Sequence, residues 1–202
     1  MNIMDVIHDW FVLYSRKSNW YATRQSIRFM RQYFKDRPVI GAEIGVQHGA
    51  NSLTMLKNLN ITKMYLIDPY TWYDEIDGPR STKHNRNESD AHRRMRPFGD
   101  RIVFVKKFSH EAVDNIKAIL DFVYIDGNHY HKYIKQDLSD YYPLIRDGGI
   151  ICGHDFDLPE VASAVTEFAS TYGFVVNVQG HPGDWWMIKK EVNEVPYVAS
   201  TC

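Results

Sequence analysis

The stretch Pro38-Val39-Ile40-Gly41-Ala42-Glu43-Ile44-Gly45-Val46-Gln47-His48-Gly49-Ala50-Asn51-Ser52-Leu53 decides the architecture of this chain. Val39 to Ile44 is short, apolar and rich in β-branched residues, and Pro38 bounds it, so it reads as a buried strand. After Gly49, Leu53, Leu56 and Leu59 recur at helical spacing. A strand that feeds a helix through a tight glycine turn opens a βαβ unit. The N-terminus of that helix presents N–H groups without intrahelical partners to an anionic ligand.

Outward from this turn, the glycine spacing selects among ligands. A dinucleotide-binding turn carries G-x-G-x-x-G, whose second glycine lets a pyrophosphate approach the backbone. Here the pattern is Glu43-x-Gly45-x-x-x-Gly49, and that second glycine is absent. The next apolar run, Met64-Tyr65-Leu66-Ile67, ends in Asp68. That acid lies about twenty residues beyond the turn, the spacing at which a carboxylate meets a ribose diol. The combination resembles motif I of class I S-adenosylmethionine (SAM) methyltransferases. SAM has no phosphate; it needs room for a methionine moiety and an acceptor for its ammonium group.

The bulk numbers agree with a small globular enzyme. The 202 residues are 44% hydrophobic and 14% aromatic, which suits one domain with a sizeable core. A net charge of −1 provides no basic field to draw nucleic acid or a membrane surface. Cys152 falls in an apparent core strand and Cys202 ends the chain, so no disulfide framework is implied, as expected of a cytoplasmic protein. Asp5, His8 and Asp9 interrupt the N-terminal apolar residues, against a signal peptide, and no apolar run approaches the length of a membrane span.

Along the chain, residues 2–16 and 20–35 read as amphipathic helices, the second with Ile27, Met30 and Phe34 inward and Arg24, Arg28 and Arg31 outward. Residues 1–37 therefore form a helical extension packed on the core, and 38–202 the ligand-binding domain. Trp10 or Trp20, if exposed, would mark the face of a homodimer. Strands are expected at 63–68, 102–105, 122–126, 150–152, 174–178 and 185–189, with helices over 110–120, 130–146 and 159–172. Segment 69–97 lacks a strand pattern, and 88–96 reads as a short helix; a connection this long is usually functional or mobile. The expected fold is α/β: a Rossmann-like sheet of seven strands, mostly parallel with the last antiparallel, and helices on both faces.

In such sheets ligands sit at the carboxyl ends of the strands. The polar residues there are Glu43, Asp68, Ser109, Asp126, Asn128, His129, His154 and Asp155. The segments Ile125-Asp126-Gly127-Asn128-His129 and Gly153-His154-Asp155 end strands that should be neighbours. Their two carboxylates, with imidazole or water, have the chemistry to hold Mg²⁺.

Phe122–Phe156 resembles the corresponding unit of metal-dependent small-molecule O-methyltransferases, both the catechol group and the group acting on antibiotic sugars such as macrocin and novobiocin precursors. The similarity covers about residues 38–190. It implies that Glu43, Gly45 and Gly49 line the methionine end of SAM, with Asn51 or Ser52 near its carboxylate, that Asp68 holds the ribose, and that Phe108 and Ser109 flank the adenine. Asp126 would be both a cofactor-site residue and the first metal ligand, and His154 and Asp155 occupy the other two ligand positions. In the catechol-type enzymes a lysine base follows the first ligand by three residues, where this chain has His129. In the sugar enzymes an aspartate two residues after it is assigned as base, where this chain has Asn128, which takes no proton.

Two departures from the family pattern follow. His154 replaces an acid or amide, and imidazole suits Zn²⁺, Fe²⁺ or Ni²⁺ better than Mg²⁺; it stands either as a ligand or beside the ligands. His129 is left as the candidate base, since histidine titrates near neutral pH, or as a helix cap. The expected reaction is SAM-dependent, metal-assisted O-methylation of a small-molecule hydroxyl. The alternatives are an NAD-type oxidoreductase on the same kind of sheet, a nucleic-acid methyltransferase, and a non-catalytic SAM-binding module. The absent dinucleotide glycines count against the first, and the missing Pro-Pro-aromatic sequence after Asp126 against the second. The cluster of titratable groups counts against the third.

Overall fold

The computed structural model describes residues 24–73 and 84–190. The helix expected over 2–16, the start of the helix expected from 20, Trp10, Trp20 and Cys202 lie outside the described residues. α1 (Gln25–Phe34) leads to β1 (Val39–Ile44), α2 (Ala50–Asn58) and β2 (Ile61–Ile67). α3 (His84–Met95) precedes β3 (Ile102–Val105), the one-turn α4 (Ser109–Ala112) and β4 (Leu120–Ile125). α5 (His131–Tyr141), β5 (Ile145–Gly153), α6 (Pro159–Tyr172), β6 (Asn177–Gln179) and β7 (Asp184–Ile188) follow.

Among the described residues the strands form one seven-stranded sheet in the order β3-β2-β1-β4-β5-β7-β6. β1 pairs in parallel with β2 and β4, and β3 and β5 extend the parallel ladder outward. β7 runs antiparallel between β5 and β6. The mostly parallel sheet with an antiparallel last strand is the one the sequence pattern implied.

Period-two alternation along β4 shows how the sheet is covered on both sides. Phe122 and Tyr124 face a core made with Ile27, Met30 and Phe34 of α1 and Met55 and Leu56 of α2. Val123 and Ile125 face the opposite core, with Ile134 and Leu138 of α5 and Val161, Val165 and Phe168 of α6. Burial of both faces is why β4 reads as an unbroken apolar run.

Two expected helices are shorter than their patterns. The one expected over 110–120 makes one α turn and a short 3-10 turn, Val113–Asn115. Asp114 and Asn115 compete for the helix's own backbone bonds, and Leu120 is drawn into β4 opposite Ile145. The one expected over 130–146 stops at Tyr141 because Pro143 cannot donate the next bond. β5 consequently begins at Ile145, with an irregularity in its pairing that takes up Asp147-Gly148-Gly149. No helix among the described residues is long and apolar enough to cross a membrane.

The core is packed closely enough to dictate a backbone residue. A Cβ on Gly41 would lie 2.1 Å from Cζ of Phe122, whose ring is fully buried. Gly41→Ala is expected to cost about 1–3 kcal/mol by overpacking and Phe122→Ala about 3–5 kcal/mol by cavity formation. The double variant should lose clearly less than the sum, because the new methyl occupies space the ring vacated. Urea denaturation checks this, and strict additivity would show that the two groups do not compete for that space.

Candidate active site

The chain moves outward from β1 through β2 to β3, then returns to place β4 on the other flank of β1. At such a reversal the loops after the two central strands part and leave a crevice. Gly45 follows β1 with φ 86°, and a Cβ there would lie 1.9 Å from the carbonyl oxygen of Asp126, after β4. Both the positive φ and the contact require glycine. Gln47 (φ 50°) and Gly49 (φ 75°) continue the turn into α2. Asp68 fastens it: one carboxylate oxygen accepts the Gln47 N–H at 2.8 Å and the other the Tyr70 N–H at 2.8 Å.

Glu43 is completely buried beneath this turn. Asn51 Nδ2 donates to its Oε1 at 2.9 Å, and the Ser52 hydroxyl donates to the other oxygen. The side chains of Asn51 and Ser52 are thus turned toward Glu43, tying the first turn of α2 to β1. Burial pushes the Glu43 carboxyl up to about 8 despite these two bonds.

Two cavities open on either side of Gly45. The larger, about 400 Å³, brings together Gly45, Asp68, Phe108 and Ser109 between apolar walls that include Ile44 and Ile67. The smaller, about 250 Å³, is bordered by Gly45, Gln47, Asn51, Asp126, His154 and Asp155, and by Arg24. Gly45, Asn51, Asp68, Phe108, Ser109 and Asp126 thus border one or both cavities, with Glu43 and Ser52 beneath them, whereas Gly49 borders neither: it caps α2, and a Cβ there would lie 3.2 Å from Cα of Ala91 on α3.

The smaller cavity holds the ionisable groups. His129 Nε2 lies 3.1 Å from Asp155 Oδ2 and 3.9 Å from Asp126 Oδ1. His154 Nδ1 lies 2.9 Å from Asp155 Oδ1. Burial alone would raise the Asp155 carboxyl, but hydrogen bonds from His129 and His154 and their charge hold it well below the usual carboxylate range. Asp155 itself sits at φ 59°, a conformation few non-glycine residues adopt. His129 does not cap α5: Tyr130 holds the cap position, and Asn128 Oδ1 accepts the Tyr130 N–H at 3.0 Å in a local turn.

Two members of the cluster, Arg24 and Asp184, were not among the candidate site residues read from the sequence. Arg24, expected to point outward from its helix, instead turns its guanidinium inward. Nη1 donates to Tyr124 Oη at 2.5 Å and to Asp126 Oδ2 at 3.1 Å. It precedes α1, so the helical periodicity that assigned it to the outer face does not apply. Burial acts against Asp126 ionising, and the His129 bond and the Arg24 charge outweigh it, holding its carboxyl below the usual range. Asp184, at the start of β7, accepts the Ser26 N–H and hydroxyl, both at 2.9 Å, and lies 3.7 Å from His154 Nε2. Burial raises its carboxyl.

One ligand atom from each of Asp126, His154 and Asp155 lies within 4.8 Å of the others. Arg24 meets Asp126 at Oδ2, while Oδ1 lies 3.9 Å from His129 Nε2. Two carboxylates and an imidazole fit a divalent cation, with an imidazole donor more typical of a transition metal than of Mg²⁺.

A family model described as a methyltransferase domain matches residues 42–156. The chain belongs to this methyltransferase family. Its sheet is that of the class I SAM-dependent enzymes and resembles the O-methyltransferases among them. The O-methyltransferase NovP superposes with a TM-score of 0.60 at 16% identity, covering 82% of this chain and 80% of that one. Precorrin-6y C5,15-methyltransferase from Geobacter metallireducens gives 0.60 at 15% identity, over 86% of this chain and 92% of that one. Uncharacterized protein R132 of Acanthamoeba polyphaga mimivirus is 24% identical over 137 residues, 63% of this chain. The matched region spans 58% of that relative's length.

The buried Glu43 has a measurable consequence in this protein. Its folded-state carboxyl titrates near 8 against an ordinary 4.5, so the folded protein holds a proton that the unfolded chain has released. Its contribution to stability therefore falls as pH rises through that window. Glu43→Gln should flatten the decline in urea midpoint between pH 5 and pH 9 relative to the wild type, whatever its absolute stability. Parallel profiles for the two proteins would contradict the assignment.

Proposed function

We propose that this protein transfers the methyl group of SAM to a hydroxyl of a small-molecule acceptor, with His129 as the base and Asp126, His154 and Asp155 holding a divalent cation. The observation that carries the reading is the convergence of His129, His154, Asp126 and Asp155 beside Gly45, next to the cavity that contains Asp68. Gly45 and Asp68 match the positions that line SAM in the family the chain resembles.

The chain's own residues supply orientation and proton transfer. His129, 5% exposed, is fixed with Nε2 3.1 Å from Asp155, which borders the smaller cavity. The neighbouring carboxylates stabilise the imidazolium that forms when it takes the acceptor's hydroxyl proton. The acceptor oxygen then forms a bond to the methyl carbon as the carbon–sulfur bond breaks, and the electron pair of that bond passes to sulfur, which leaves as the neutral thioether of S-adenosylhomocysteine. A divalent cation, when bound, supplies a lower pKa for the acceptor hydroxyl. Alignment of two bound reactants contributes the remainder of the rate.

The reading favours a small acceptor over nucleic acid, since the net charge of −1 supplies no electrostatic attraction to phosphates. It also favours the cytoplasm, where SAM is available and the buried Cys152 thiol stays reduced.

Isothermal titration with SAM and S-adenosylhomocysteine, with and without a divalent metal, is the direct test, followed by a screen of catechols and sugar hydroxyls. His129→Ala is expected to lower kcat by about 10²–10⁴-fold while leaving SAM affinity nearly unchanged. Asp155→Ala should abolish metal-dependent turnover with SAM still bound. Undiminished activity in EDTA would remove the metal from the mechanism, and the absence of binding heat with either cofactor form would remove methyl transfer.

A further inference from the structure

The larger cavity contains a buried acid that the proposed reaction does not use. Asp137 is 3% exposed and lies on α5 within the stripe of Ile134, Leu138 and Tyr141 that fixes the helix to the sheet. An acid in an apolar helical stripe is costly unless something polar meets it. The Ser109 hydroxyl hydrogen-bonds to it, and Tyr141 Oη donates to the Ser109 carbonyl at 2.9 Å, so α5 clamps the loop after β3. Asp137 also borders the cavity together with Ser109 and Gly127. Its Oδ2 stands 3.8 Å from where a Cβ on Gly127 would lie, beside Ile44, so the glycine puts no side chain before the carboxyl.

A carboxylate has about four acceptor positions, and one hydroxyl does not fill them. Asp68 stands at the same cavity, and Ile44, Ile67 and Phe108 give it the apolar walls a flat heterocycle requires. We propose that Asp137 is the residue by which this cavity recognises a 6-aminopurine. Its carboxylate accepts a hydrogen bond from the exocyclic amino group of adenine and repels the carbonyl oxygen of a 6-oxopurine. This rests on the larger cavity being the nucleoside end of the SAM site. The Ser109 hydroxyl takes one acceptor position of the carboxyl and leaves others for the amino group.

The test compares S-adenosylhomocysteine with its 6-oxo analogue, S-inosylhomocysteine, by isothermal titration at pH 8.5, above the value of about 7 to which burial raises this carboxyl. The wild type should prefer the amino compound by at least about tenfold, the scale at which an unmatched polar contact discriminates. Asp137→Asn carries an amide that donates to a 6-oxo group, and should bring the two affinities within about threefold or reverse them. Ser109→Ala removes the hydroxyl but keeps the carboxyl, and should retain the preference for the amino compound even if both affinities fall. An Asp137→Asn protein that keeps the full wild-type preference overturns the proposal. So does a Ser109→Ala protein that loses it to the same extent as Asp137→Asn, because Asp137 would then act only on the loop. Failure of the wild type to bind S-adenosylhomocysteine at all overturns the SAM site and this inference together, whereas binding without discrimination overturns this inference alone.

Discussion

The site depends on the approach of two backbones at the centre of the sheet. Gly45 and the carbonyl of Asp126 are so close that no Cβ fits between them. Because β1 and β4 are held in parallel register from Gly41–Phe122 to Ile44–Ile125, their ends leave the sheet at the same height. The Gly45 N–H still bonds to the Ile67 carbonyl at 2.9 Å, and the Asp126 N–H to the Ile44 carbonyl at 2.9 Å, so the ladder continues to the last residue before the crevice. Everything functional is then arranged by how each loop departs from that point. The turn through Gln47 and Gly49 bends over Asp68 on one flank. The turn through Gly127 and His129 bends toward Asp155 on the other.

The polar groups follow a corresponding division. Glu43 sits under the crevice and spends its oxygens on Asn51 and Ser52, so it stiffens the turn from below. Asp126 and Asp155 sit at its mouth and are kept ionised by Arg24, His129 and His154. The difference comes from the partners. Neutral hydroxyl and amide donors do not offset the burial of Glu43, whereas the guanidinium and the imidazole hydrogen bonds outweigh the burial of Asp126. The same physical cost therefore produces a carboxyl raised toward neutrality beneath the sheet ends and carboxylates held anionic above them.

Much of this was legible in the sequence where a single element settles the question. The Val39–Ile44 strand, the glycine turn and the apolar run at 122–125 follow from patterns that local geometry enforces, and the seven-stranded, mostly parallel sheet follows from them by resemblance. The strand-end acids were legible because strand ends are where ligands bind. Helix ends were less so: Asp114 and Pro143 cut short two apolar patterns that periodicity alone would prolong. Arg24 and Asp184 were not legible because their roles arise from contacts 102 and 158 residues apart in the chain, and nothing near either residue announces a partner. Asp137 had a local signal, a charge at i+3 from Ile134 and i−4 from Tyr141 on an apolar face, which marks an acid held in the interior.

That last signal bears on how the fold separates binding from chemistry. α5 starts five residues after Asp126 and returns to the cavity wall at Asp137. One helix thus connects the loop that carries His129 to the acid beside Ser109. Its apolar stripe, Ile134, Leu138 and Tyr141, packs on the sheet face that also holds Val123 and Ile125. Movement of the helix would shift Asp137 in the wall of the larger cavity and pull on the loop that carries His129, because these side chains set its depth on the sheet. The Tyr141 bond to the Ser109 carbonyl locks the far end, and the Asn128 turn locks the near one. In the proposed reaction the nucleoside and the reacting methyl group belong to one molecule, and their separation is fixed by covalent geometry. A helix held at both ends, running from the loop that carries His129 to the wall of the larger cavity, gives the protein a spacing of matching constancy.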